Sequence, residues 1–179
     1  MSDPSRFDAL AASAERYGRL SLVNYAIIRG VAENLADGFC AWLGGDGPRC
    51  VYLVPPEGAW TPQSYRSGAF SVSGKNFLPL SPISFGLAVK VSHTGDWLRM
   101  VLTCAKKGPV VEVSIAKGSS FNIELPVSDG DLLEIFQRLH AHLITWFDDQ
   151  SDIYDNGDYG NRSIGFDFIH EPLVEDGDA

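Results

Sequence analysis

From Phe85 to Leu125 apolar residues recur at every second position. Phe85, Leu87, Val89 and Val91 alternate with Gly86, Ala88, Lys90 and Ser92, and Leu98, Met100, Leu102 and Cys104 follow in the same period. The sets Val111, Val113, Ile115 and Phe121, Ile123, Leu125 repeat it. A period of two places one set of side chains on one face of a strand. The turn-forming stretches His93-Thr94-Gly95-Asp96, Lys106-Lys107-Gly108 and Lys117-Gly118-Ser119 separate the runs, which predicts an antiparallel meander. Cys50–Val54 reads as a further short strand and Ala69–Ser73 as a weaker one, for five to six strands in all. The opposite face carries Lys90, Arg99, Glu112, Asn122 and Glu124. Such a set suits cross-strand ion pairs, solvent or an oligomer contact, and not a second core.

On either side of the meander the period changes to three and four. Asp3 before Pro4 signals a helix start, and Phe7, Leu10, Ala14 and Tyr17 follow at helical spacing, so a helix is expected over about 4–17. Ser21 offers a second cap, with Ile28, Val31, Leu35, Phe39 and Trp42 as one stripe over 21–43 and Gly44-Gly45 as its stop. Gly18 leaves open whether these are two helices or a single bent one. Ser128 and Asp131 match a capping box, and Leu132, Leu133, Phe136, Leu139, Leu143 and Phe147 trace a helix over about 129–148. The expected fold is a two-layer α+β domain spanning 1–149, its sheet over about 50–125 and its helices packed on one face. Residues 150–179 form an acidic, aromatic-containing segment, partly docked on the body.

Composition adds bounds to this pattern. With 45% hydrophobic and 21% charged residues the chain can fill one core and is not disordered throughout. No apolar run is long enough to cross a bilayer and the first residues do not resemble a signal peptide, so a soluble cytoplasmic protein is expected. Cys40, Cys50 and Cys104 have no metal-ligand spacing and read as reduced core thiols. The net charge of −9 is confined to one end: 1–147 is balanced, whereas 148–179 carries ten acids against Arg162 alone. That distribution argues against binding nucleic acid and against a membrane partner, and favours a basic protein partner steered by Asp152, Asp155 and Asp158.

Several motifs fail on inspection. Gly68 to Asn76 resembles a phosphate loop with the wrong spacing, and Pro79 and Pro82 preclude the helix that must follow. His140 and His142 stand about 200° apart on a helix and cannot grip one metal, His140 reading as half-buried and His142 as solvent-facing. His93 beside Asp96 lacks a triad context. An alignment of Asp152–Ser163 with a calcium loop misses two ligand positions. No cofactor, metal ion or catalytic residue is therefore expected.

The connection from Pro55 to Pro82 is long, rich in proline and aromatic, and ordered connections of that length often carry function. Trp60, Tyr65 and Arg66 lie within seven positions of one another and are the residue types that dominate interface hot spots. The favoured function is a non-enzymatic protein-binding or regulatory module of the immunity, antitoxin or chaperone kind, with a homo-oligomer left open. The alternative is a small-molecule-binding domain or small enzyme with a pocket under residues 55–82, where Glu57, Tyr65, Arg66 and Lys75 would supply the polar groups. A loop that merely covers the sheet is the plain third possibility.

Overall fold

Chain alternation and helical stripes meet in one open antiparallel sheet. The computed structural model describes residues 3–45, 49–72, 80–158 and 167–171. The strands are β1 (Val51–Val54), β2 (Ile83–Lys90), β3 (Asp96–Lys107), β4 (Val110–Ile115) and β5 (Ser120–Glu124), adjacent in that order, and β6 (Asp167–His170). The helices are α1 (Arg6–Leu43) and α2 (Asp129–Asp155). β3 is the longest strand and shares one of its edges end to end. Its first residues, Asp96–Arg99, pair with β6, and its later residues, Leu102–Lys107, pair with β4.

Both helices lie on the face predicted to be apolar. Ile28, Val31, Leu35 and Phe39 of α1 and Ile135, Phe136, Leu139 and Leu143 of α2 are buried with Leu87, Leu98, Met100, Leu102, Val113 and Ile123 of the sheet. The two helices touch where Gly38 faces the Phe136 ring. A Cβ there would stand 2.5 Å from a ring carbon, so glycine is what permits the approach.

Several boundaries differ from the sequence expectation for physical reasons. α1 starts at Arg6, because Ser5 and Asp8 close a reciprocal capping box that Asp3 and Pro4 do not supply. It is one helix: Ser21 is buried within it and donates its hydroxyl to the Gly18 carbonyl instead of capping. At 38 residues it is about 57 Å long, and its core-facing stripe continues past the sheet to Leu10 and Phe7, both exposed. Gly44 ends it in the left-handed region at φ 65°, as its position predicts. α2 begins at the expected Ser128–Asp131 box but runs to Asp155, so Asp148, Asp149, Asp152 and Asp155 form its last turns. Arg66–Ala69 is a 3-10 turn; of the weak strand expected over Ala69–Ser73, Phe70 bridges to Phe85 and Ser71 N–H donates to the Ser84 carbonyl, while Ser73 lies outside the described residues.

The cysteine expectation is corrected at two positions. Cys40 and Cys50 form a disulfide, because the Gly44 turn folds the start of β1 back on α1 and brings the two Cα atoms to 5.4 Å. Cys104 remains a thiol in the core, where burial pushes it up to about 12.

Candidate functional site

The sheet face away from the helices is not uniformly polar. Val54, Trp60, Ala88 and Trp97 are buried together on it, with Tyr52, Tyr65 and Ile169 at the margin. Loop 55–65 forms this small cluster by folding over the N-terminal half of β3. Arg99, expected on an open polar face, lies beneath it and is only 7% exposed. One guanidinium nitrogen donates to the carbonyls of Pro55 and Gly58, at 3.0 and 2.9 Å, and the other to Asp167 of β6. The guanidinium also stacks over the Trp60 ring at 5.7 Å. Arg99 thus clamps the proline-rich loop and the last described strand to the same sheet.

Trp60 therefore points inward at 6% exposure. Tyr65 is half-buried; hydrogen bonds from Gln63 and Thr61 hold its phenol below the usual tyrosine range, with Thr61 N–H donating at 3.0 Å. Arg66 is exposed, at a positive φ of 54°, and makes no ion pair among the described residues. Glu57 is exposed, while Lys75 lies outside the described residues. Asp152 and Asp155 sit exposed on the last turn of α2 and Asp158 just beyond it, with no basic side chain in that turn.

Arg66 belongs to a concavity that neither helical nor strand periodicity announces. Lys90 N–H donates to the Cys50 carbonyl at 2.9 Å, and in an antiparallel ladder bonded and non-bonded pairs alternate. Tyr52 and Val54 consequently bond β2, whereas Val51 and Leu53 turn their backbone groups to the free edge of β1. Arg49 Nε donates to the Val51 carbonyl at 3.0 Å, and the N–H and C=O of Leu53 have no partner among the described residues. Two adjoining hollows run along this edge beside α1. One, of about 360 Å³, is lined by Ala36, Asp37, Cys40, Gly45 and Arg49. The next, of about 230 Å³, is lined by Arg29, Glu33, Asp37, Arg49, Leu53 and Arg66. Arg49 joins them, held by Asp37 at 3.2 Å and by the Tyr52 ring at 5.0 Å. Arg29 is paired with Glu33 at 2.9 Å, which leaves Arg66 as the groove's uncompensated charge.

The histidines fall into other roles. His140 is exposed against Trp42, ring centroids 5.5 Å apart, and His142 is the half-buried one, its pKa lowered by desolvation against the β4–β5 turn at Gly118. That reverses the expected exposure of the two, because the tight Gly118 turn crowds the side of α2 that carries His142. His93 is exposed in its turn, and Asp96 is instead bound by His170 of β6, Nδ1 to Oδ1 2.6 Å. His170 and the Ser92 hydroxyl hold the Asp96 carboxyl below its ordinary value. The His170 contact depends on β6, a strand whose short acid-rich sequence carries no alternation long enough to read. Phe168 of the same strand reaches Trp146 and Phe147 on α2, centroids 5.7 and 6.0 Å away.

Among the described residues no group of three or more His, Cys, Asp or Glu side chains is placed to hold a metal ion, and no helix is long and apolar enough to cross a membrane. The chain matches no protein-family model, no curated protein and no solved structure.

Proposed function

We propose that this protein is a non-enzymatic protein-binding module that takes a segment of its partner along the free edge of β1. One observation carries the reading: a strand edge whose Leu53 N–H and C=O have no partner among the described residues faces an open groove. Backbone groups displayed in this way are satisfied most completely by another polypeptide, since an added strand supplies matching donors and acceptors in register. What favours this reading over the small-molecule or enzyme alternative is that Trp60 is packed under the loop while Glu57 and Arg66 are exposed. Kinship in kind with immunity, antitoxin or chaperone proteins rests on size and charge. A cytoplasmic location requires that the fold also tolerate the reduced Cys40–Cys50 pair, because cytosolic thiol buffers keep cysteines reduced.

The test is site-specific photocrosslinking in the producing cell. A photoreactive residue is placed at Ser64 in the groove, at Asp152 on the tip of α2, and at Asn122 on β5 as a control. One reproducible protein adduct at Ser64, formed by a protein that also binds the purified chain, is the expected result. Adducts at Asp152 alone would move the interface to the acidic end, and no adduct at any position would overturn protein binding itself.

A further inference from the structure

We infer that the segment seated beside β1 is an extended peptide with acidic side chains, recognised through Leu53 and through Arg29, Arg49 and Arg66; this rests on the protein-binding reading. Three features converge there. The Leu53 N–H and C=O offer one hydrogen-bonded pair to an incoming strand. Arg49 covers the Val51 carbonyl at one end of the edge and the Arg66–Ala69 turn lies close to β1 at the other, which confines the available pair to Leu53 between them. Three guanidinium groups line the groove against two carboxylates, Glu33 and Asp37, leaving positive charge around Arg66.

Strand geometry turns that charge into a sequence preference. Side chains two residues apart on an added strand lie roughly 6.8 Å from one another on the same face. Carboxylates at such positions can both meet the arginine wall, and a planar guanidinium accepts a carboxylate in bidentate fashion. The stacking of Arg49 on Tyr52 holds its fork in place before any ligand arrives. A second copy of this chain is the wrong occupant on two counts. Pairing β1 with its own symmetry mate would bring the uncompensated Arg66 of each copy to one seam, and like charge opposes that. Asp148, Asp149, Asp152 and Asp155, the acidic residues clustered on α2, are helical and cannot add as a strand.

Two ten-residue peptides test the inference, one alternating Val and Thr with Glu, the other carrying Gln in place of every Glu. Each is titrated into the ¹⁵N-labelled full chain. With the Glu peptide, saturable amide shifts should centre on residues 49–54 and 64–66, and hydrogen exchange at the Leu53 amide should slow. The Gln peptide should bind roughly tenfold more weakly, and Arg66→Gln should weaken the Glu peptide about three- to tenfold while leaving the rest of the spectrum unchanged. Equal binding of both peptides, shifts centred elsewhere, or no binding at about 1 mM peptide would overturn the acidic-strand assignment. So would a dimer of the free chain in sedimentation that Arg66→Gln strengthens, since a second copy would then occupy the edge against its like charge. A partner crosslinked at Ser64 together with failure of the Glu peptide rejects only the acidic chemistry; failure of both experiments rejects the protein-binding reading as well.

Discussion

Arg99 is the side chain on which most of the unexpected structure depends. It ties β3, loop 55–60 and β6 together, and its removal leaves the Pro55 and Gly58 carbonyls without their donor. Arg99→Ala should therefore cost on the order of 1–3 kcal/mol in a denaturant titration, whereas Asp167→Ala should cost less, because Asp167 is 62% exposed and water replaces its partner. Equal losses would show that the ion pair, and not the carbonyl clamp, dominates. Trp60→Ala belongs with Arg99→Ala. Its ring is buried against the sheet, so the melting temperature should fall clearly, the behaviour of a packed aromatic and not of an interface anchor. The disulfide is a third test. It closes a short loop, and replacing both Cys40 and Cys50 by Ala should cost roughly 2–3 kcal/mol, or about 5–10 °C in melting temperature. An unchanged midpoint would mean that α1 and β1 hold each other without it.

Elements whose period is long and regular are legible in the sequence: the meander and the Ser128 cap stand where their spacing puts them, and so do Ile28–Phe39 and Phe136–Leu143 of the helical stripes, whereas Trp42 and Leu133 are exposed. What periodicity cannot carry was missed. Ser21 looks like a cap because a hydroxyl at a helix start and a hydroxyl bonding back to the preceding turn are the same residue type in the same neighbourhood. Arg99 sits at a polar position of an alternating strand, and nothing local says that a loop will fold over it. The groove was half legible: Arg66 was singled out in sequence, but Arg29 and Arg49 come from separate elements that only the fold of α1 onto β1 brings together. The last turn of α2 gives a prediction at this scale. Its aspartates meet the negative end of the helix dipole with no basic residue to relieve them, so Asp155→Lys should stabilise the protein by about 0.3–1 kcal/mol. Thermal melts at low and high salt check it, because the gain should shrink as salt rises.

At the scale of the whole molecule, β6 is held by the Asp167–Arg99 ion pair at one end, by the His170–Asp96 contact at the other and by Phe168 in between. Asp96 has its folded pKa lowered below the ordinary 3.8, chiefly by His170 and then by Ser92. A carboxyl of that kind contributes stability that is fully present above its unfolded value and is lost as pH falls through the lower folded one. β6 should accordingly loosen in acid, below about pH 4, with Asp96→Asn removing that part of the pH dependence, and hydrogen exchange at the Trp97 and Ile169 amides reports it. The shared edge of β3 also bears on how the chain is made. Its central strand begins at Asp96, yet the partner for its first residues is not synthesised until Asp167–His170, some seventy residues later. Until β6 is made, the early half of β3 is a bare strand edge. A chain that stops short of Asp167, through premature termination or clipping by a protease, keeps that edge permanently and should aggregate where the full-length product does not. Pairing of β6 thus closes the part of the β3 edge that β4 leaves uncovered.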